Sequence, residues 1–258
     1  MSVKLKIFTF NLRVESNADG INHFTNRRGR ILDTIREYSP DIIGFQEAND
    51  NMRRWLIDSL DAYTVVGCGR GADWRGESTV VAFKKHDFEM IALENRWLST
   101  TPDAPGSTFG GDQSGCPRIL TAVCLKHREA DEPFIFLNTH LDHKGRTARL
   151  LGAVEVVQYL ADHGEHFIIT GDMNAHPDAP EIAAFTASVP CGAPVIDATE
   201  QLGGTFHGFG KRNPPVKIDY IFTDMTCDPA ESFIVPNEPI DGIYITDHSP
   251  VCAFVTAE

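Results

Sequence analysis

The spacing of apolar residues along the chain changes from segment to segment, and the spacing separates strands from helices. Residues 3–10 alternate Val, Leu, Ile and Phe with Lys and Thr, which reads as a strand. Over 26–38, Ile31, Ile35 and Tyr38 fall on one helical face, and Pro40 closes the helix. The short apolar run 41–46 reads as a buried strand ending at Glu47, and 50–60 carries Trp55, Leu56 and Leu60 at helical spacing. Further strands are expected at 63–67, 78–84, 87–94, 119–126 and 134–139. The longest helical pattern spans 146–162, with Leu150, Leu151, Val154, Val157 and Leu160 as its apolar stripe. A strand at 166–170, a helix near 179–187 and strands at 216–222, 230–234 and 250–255 complete the series. Many strands with few helices fit two sheets packed face to face with helices outside.

Three stretches, 70–77, 99–117 and 203–215, are rich in Gly, Pro, Ser, Thr and Asp. Loops of this kind tend to carry function. No linker, repeat or low-complexity tract interrupts the elements, so residues 1–258 read as one domain.

Charge narrows the partners. The formal net charge is −13, which disfavours tight binding to long duplex DNA, where basic surface supplies most of the affinity. The local basic groups Arg27, Arg28 and Arg30, and Arg53 and Arg54, read as solvated helix faces. The six cysteines Cys68, Cys116, Cys124, Cys191, Cys227 and Cys252 form no Cys-x-x-Cys pair, and several sit in apolar runs. Buried free thiols and a reducing compartment are expected. The N-terminus moves into a strand rather than a signal peptide, and no apolar run approaches the ~20 residues of a membrane span. A cytoplasmic protein without membrane contact follows as the expectation.

Several expected strands end in an ionisable residue or an amide. These endings are Asn11, Gln46-Glu47, Asn138-Thr139-His140 and Gly171-Asp172-Met173-Asn174. Asp219 lies inside Lys217-Ile218-Asp219-Tyr220, and Asp247-His248-Ser249-Pro250 precedes the last strand. Gathered at one sheet edge, they would form a single site. Glu47, Asn11 and Asp247 offer hard oxygen ligands suited to Mg²⁺ or Mn²⁺. Asp172 is a candidate base for water, and Asn174 a candidate to orient that water or donate to an oxyanion. Asp219 and His248 make a carboxylate–imidazole pair that favours the imidazolium, and His140 is a second candidate to contact a phosphoryl oxygen. Arg118 opens a strand after a loop and, with His143, is a candidate phosphate contact; Glu77 is a candidate for the rim. Arg146 and Arg149 could add positive charge. His140 and His143 have zinc-like spacing, but no cysteine or second histidine pair accompanies them.

This ordered set, spanning residues 10–251, resembles the endonuclease/exonuclease/phosphatase superfamily. The resemblance implies a four-layer α/β/β/α sandwich of two packed mixed β-sheets flanked by helices. It implies Glu47 as the principal metal ligand with Asn11 and Asp247 nearby, Asp172 as base with Asn174 as its partner, and His248 paired with Asp219. Within the superfamily the chain looks similar to small bacterial stand-alone hydrolases, distantly related to the deadenylase-like branch. The stretches that suggest this are Asp19-Gly20-Ile21-Asn22, Trp97-Leu98-Ser99-Thr100-Thr101-Pro102, Pro117-Arg118-Ile119 and Gly204-Thr205-Phe206-His207-Gly208-Phe209. Two departures weigh against DNA repair and inositide hydrolysis. Arg13 stands where AP-endonuclease branches carry an acidic residue, and Lys217-Ile218-Asp219 stands where the inositol-phosphatase branch has an arginine-containing motif. The expected activity is Mg²⁺- or Mn²⁺-dependent hydrolysis of a phosphodiester or phosphomonoester in a small substrate, a nucleotide or a short single strand. A DNA/RNA nuclease and a non-catalytic phosphate-binding module are the alternatives.

Overall fold

The structure is a computed structural model describing residues 1–163, 166–187 and 194–258; Cys191 lies outside the described residues. In chain order the strands are β1 (Val3–Asn11), β2 (Ile42–Ala48), β3 (Tyr63–Val66), β4 (Ser78–Lys84), β5 (Phe88–Trp97), β6 (Ile119–His127), β7 (Phe134–His140), β8 (His166–Asp172), β9 (Ile196–Asp197), β10 (Asp219–Thr223), β11 (Thr226–Cys227), β12 (Phe233–Ile234) and β13 (Val251–Ala257). The α-helices are α1 (Phe24–Tyr38), α2 (Asp50–Ser59), α3 (Arg146–His163) and α4 (Pro180–Ala187).

Two mixed sheets form. One runs β11-β13-β1-β2-β4-β3, with β12 also on β13; the other runs β5-β6-β7-β8-β10-β9. The parallel pairs are β1 with β2 and β7 with β8, joined through α1 and α3, as a parallel connection requires. Three apolar clusters mark the layers. Leu5, Ile7, Ile42, Val81, Phe136, Ile168 and Ile221 pack between the sheets. Phe8, Phe10, Ile43 and Phe45 face α1 and α2, whereas Ile135, Leu137, Phe167 and Ile169 face α3 and α4. The architecture is the expected α/β/β/α sandwich.

The inner row of each central strand changes character along its length. It runs Ile7–Thr9–Asn11 on β1, Ile42–Gly44–Gln46 on β2, Phe136–Asn138–His140 on β7 and Ile168–Thr170–Asp172 on β8. Side chains two apart share a face, so one end of the inter-sheet space is apolar, the middle is neutral-polar and the far end is ionisable. The middle layer is hydrogen-bonded across the sheets. Gln46 Nε2 donates to Asn138 Oδ1 at 2.7 Å, and Asn138 Nδ2 donates to the carbonyls of Phe45 at 2.7 Å and Val80 at 2.9 Å. Gly44 makes this contact feasible: a Cβ there would lie 2.1 Å from Thr170 Oγ1 and 2.8 Å from Asn138 Oδ1.

Several expectations change. Arg27 is fully buried rather than solvated, because its guanidinium donates to the carbonyls of Asn22, Leu12, Ile245 and Arg13 at 2.7–3.0 Å. On α3, Leu151 and Val154 point outward, and the buried face is Ala148, Gly152, Ala153, Val156, Tyr159 and Leu160. The helix approaches its sheet through small residues: a Cβ at Gly152 would meet Leu141 at 3.1 Å and Leu98 at 3.3 Å. The strand expected at 216–222 starts only at Asp219, and 230–234 divides into a 3₁₀ turn at Pro229–Glu231 and the two-residue β12. Helix α1 starts at Phe24, capped by His23, and ends at Tyr38, with the left-handed backbone of its C-cap Ser39 (φ 44°) preceding Pro40. Cys68, Cys116 and Cys227 are free thiols but only half-buried; the free thiol of Cys252 is fully buried. Among the described residues no helix is long and apolar enough to cross a membrane.

Candidate active site

The ionisable end of the inter-sheet space collects side chains from both sheets. Parallel strands β1, β2, β7 and β8 deliver their C-terminal residues there, and the antiparallel neighbours β10 and β13 deliver their N-terminal ends. Thus Asp172 is the register partner of both His140 and Asp219, and Asp247-His248 lies just ahead of β13 beside Asn11. Arg27 secures this arrangement, since its carbonyl partners flank Asn11 on one side and Asp247 on the other.

Asp172 occupies the centre. Its Oδ1 accepts from the Asn174 N–H at 2.9 Å and its Oδ2 from Asn11 Nδ2 at 3.0 Å. His140 Nε2 and His248 Nε2 face the same Oδ2 at 3.5 and 3.7 Å. Burial and the neighbouring Asp219 push the Asp172 carboxyl up to about 7. His248 Nδ1 lies 2.8 Å from Asp219 Oδ2. Burial opposes the His248 imidazolium, but the Asp219 charge and hydrogen bond, with Asp247 and Asp172, overcome it and raise its pKa to about 10. His140 goes the other way: burial first, then Arg118 and Arg70, hold it neutral. Asn174 has φ 48°, a left-handed conformation asparagine tolerates, and its Nδ2 donates to Leu141 O at 3.1 Å.

Glu47 breaks the alternation of β2. A register shift between Phe45 and Ala48, with φ 62° at Glu47, turns its carboxylate into the cavity. Its Oε2 accepts from the Val14 N–H at 2.7 Å and its Oε1 from Asn11 Nδ2 at 3.2 Å. Asn11 therefore bridges Glu47 and Asp172, while its Oδ1 accepts from the Arg13 N–H at 2.9 Å and keeps a second lone pair. Asp247 is raised by burial, with His248 opposing and Glu47 reinforcing the shift. Arg13, bidentate to Asp19 at 3.1 Å, places its Nε 3.9 Å from Asp247.

A cavity of about 330 Å³ opens over these groups, lined in addition by Arg70, Glu77, Cys116, Arg118, His143, Phe206 and Ile218. Arg118 Nη2 lies 2.8 Å from His143 Nδ1. Glu77, at the expected rim, holds Arg70 at 2.6 Å, and burial raises its carboxyl against the pull of Arg70. Arg149 is committed elsewhere: its Nε donates to Glu181 at 2.8 Å and its Nη1 to Asp142 O at 3.0 Å. Arg146 is exposed and does not line the cavity. Arg13, Arg70 and Phe206 were not among the sequence candidates; Arg70 and Phe206 belong to two of the Gly-rich loops. A larger concavity of about 450 Å³ lies at the opposite end of the first sheet, among Leu32, Leu60, Tyr63 and His86, away from these carboxylates.

Two groups could hold a divalent cation. Glu47 and Asp247 line the cavity, with the buried Asn11 hydrogen-bonded to Glu47 beneath it. Among the described residues Asp172, Asp219 and His248 place ligand atoms within 4.8 Å of one another, and Asp219 Oδ1 is buried without a partner. In the second group the imidazole is held protonated and lacks a lone pair to offer. The carboxylate-rich donor set fits a hard cation.

A two-sheet α/β sandwich with carboxylates, amides and a carboxylate-bound imidazolium at one end defines a class of phosphate-ester hydrolases. The chain belongs to the endonuclease/exonuclease/phosphatase family, whose model matches residues 8–248. It is similar to an endonuclease/exonuclease/phosphatase structure from Bacteroides vulgatus, at 26% identity and a TM-score of 0.87, covering 99% of this chain and 100% of that one. A mannosyl-6-phosphatase from Bacteroides thetaiotaomicron is 25% identical with a TM-score of 0.85, over 97% of this chain and 99% of its own. The catalytic domain of human Nocturnin shares the fold at 20% identity and a TM-score of 0.71, over 100% of this chain and 97% of its own. An uncharacterized protein of Acanthamoeba polyphaga mimivirus is 25% identical over 156 residues, 58% of this chain and 58% of the viral protein's length.

Proposed function

We propose that the chain is a Mg²⁺- or Mn²⁺-dependent phosphoesterase in which Asp172 activates water for in-line attack on phosphorus. The observation that carries this reading is the environment of Asp172. Its carboxylate is fixed by Asn174 and Asn11, faces two imidazoles, and has a pKa near neutrality, where a general base works best. Asn174 orients the water with Asp172. His248, charged through Asp219, stabilises a phosphoryl oxygen as negative charge builds, and neutral His140 donates a hydrogen bond from the neighbouring strand. Arg118 and His143 bind the phosphate at the cavity wall. Glu47, Asp247 and the free lone pair of Asn11 would hold the cation, which when bound supplies charge neutralisation at the phosphate.

Small phosphate esters fit a cavity of about 330 Å³, and the similarity to a mannosyl-6-phosphatase supports a sugar phosphate or nucleotide. The net charge of −13 disfavours long duplex DNA, and the free thiols suit a reducing, cytoplasmic setting. The test is turnover of a panel of sugar phosphates, nucleotides and short oligonucleotides with Mg²⁺ or Mn²⁺, in wild type and Asp172→Asn. Wild-type turnover that vanishes in the variant, with the fold intact, is expected. Activity retained by Asp172→Asn would remove the mechanism, and metal binding without turnover would favour a binding module.

A further inference from the structure

We propose that Arg70 and Arg118 form a narrow pocket for the third non-bridging oxygen of a terminal phosphate, so that the substrate is a phosphomonoester dianion. This rests on the phosphoesterase reading and names its substrate class.

Arg118 is 4% exposed, and its Nε and Nη1 are buried without a hydrogen-bond partner. The nearest carboxylate does not satisfy them. Asp142 lies 3.5 Å from Nε, but its oxygens already accept from Ser114 Oγ and from the N–H groups of Ser114, Lys144 and Gly145. A buried guanidinium with idle donors is costly unless an anion completes it. Arg70 lines the same recess. Its backbone is fixed by a hairpin, with Arg70 N donating to Glu77 O at 2.9 Å and Trp97 Nε1 donating to Arg70 O at 2.6 Å, while Glu77 holds its guanidinium. Half-buried Arg70 thus lines one recess with buried Arg118, and burial and the Arg70 charge both work against the Arg118 guanidinium. An oxyanion between them relieves that repulsion.

The size of the recess decides the substrate class. Beyond the main cavity, Arg70, Arg118, Glu47, Glu77 and His140 meet the buried residues Ser78, Thr79 and Ile119 around about 10 Å³ of free space. That volume is on the order of one water-sized sphere and takes an oxygen atom, but not the carbon of a second ester group. A phosphodiester has two non-bridging oxygens and one negative charge; a monoester has three and, at neutral pH, close to two charges. With one oxygen toward the cation that Glu47 and Asp247 would hold and one toward His248, the third enters this recess only when it carries no substituent.

Calorimetry on the full chain with Mn²⁺ tests this, using inorganic phosphate and dimethyl phosphate as probes. Phosphate is expected to bind at least about tenfold tighter than dimethyl phosphate. Arg118→Met and Arg70→Met should each remove most of that preference, weakening phosphate binding by a clearly larger factor than dimethyl phosphate binding. Equal wild-type affinities, or equal losses for both probes in the variants, would overturn the proposal. Should Arg118→Met fail to fold, the wild-type comparison and Arg70→Met still decide. Intact phosphate selectivity without turnover of any ester would reject the hydrolase reading and keep the pocket. Turnover without selectivity would reject the pocket alone.

Discussion

His248 Nδ1 lies 2.8 Å from Asp219 Oδ2 while its Nε2 faces Asp172 Oδ2 at 3.7 Å, so one imidazole joins two carboxylates. The close contact makes Asp219 the partner that keeps His248 charged. Asp219→Asn should therefore lower the His248 pKa and cut kcat by about 10²-fold or more, with a smaller change in KM. Nitrogen-resolved NMR on the metal-free protein would show the imidazolium at neutral pH in wild type and its loss in the variant. An unchanged kcat would dismiss His248 as a charged contact.

The same burial that raises the Asp172 carboxyl makes it a liability to the fold. Its folded pKa is raised, so the folded state binds more protons than the unfolded chain between the ordinary carboxylate range and about 7. Stability contributed by this group is present at low pH and falls as pH rises through that window. In metal-free protein above pH 7, Asp172→Asn should melt at a higher temperature than wild type, and the difference should shrink on acidification. Thermal melts across pH with a chelator present check this; a variant less stable at alkaline pH would contradict it.

Calorimetric Mn²⁺ titration distinguishes the two candidate cation groups. Glu47→Gln should weaken binding by at least about tenfold, because it removes a charged hard ligand. Asp219→Asn should leave the affinity nearly unchanged. The reverse pattern would place the ion at Asp172, Asp219 and His248.

Arg27 and Arg28 are adjacent in sequence and opposite in consequence. Arg27→Met strands four carbonyls, and with buried unsatisfied groups costing about 1–3 kcal/mol each it should lose about 3 kcal/mol or more. Arg28 is half-buried, stacked over Phe24 at 4.9 Å, and Arg28→Met should cost far less. Urea unfolding of the pair gives the comparison, and similar midpoints would refute the role assigned to Arg27.

Gly44→Ala pushes a methyl into Thr170 Oγ1 and Asn138 Oδ1, at the layer that joins the sheets beneath the site. A loss of about 1–3 kcal/mol is expected, partly recovered in the double variant with Thr170→Ala. Chemical denaturation of the single and double variants measures both, and no recovery would mean the strain lies elsewhere.

The sequence alone singled out most of the ionisable residues and amides that gather at one end of the two sheets, and the kind of element on which each sits. Period-two alternation and the endings of strands are local properties, so Asn11, Glu47, His140, Asp172 and Asp219 were legible as a set. The order of these motifs along the chain likewise pointed to the two-sheet sandwich. What only the tertiary structure decided depends on contacts between distant segments. The burial of Arg27 follows from carbonyls up to 218 positions away, which no helical pattern registers. The outward turn of Leu151 and Val154 follows from how closely α3 approaches its sheet. The turn of Glu47 into the cavity comes from a bulge against β4, and Arg70 reaches the site because Trp97 and Glu77 hold its hairpin there. Hydrophobic periodicity reports one element's own faces; it carries no information about which neighbour those faces meet, and the neighbour sets burial, pKa and aim.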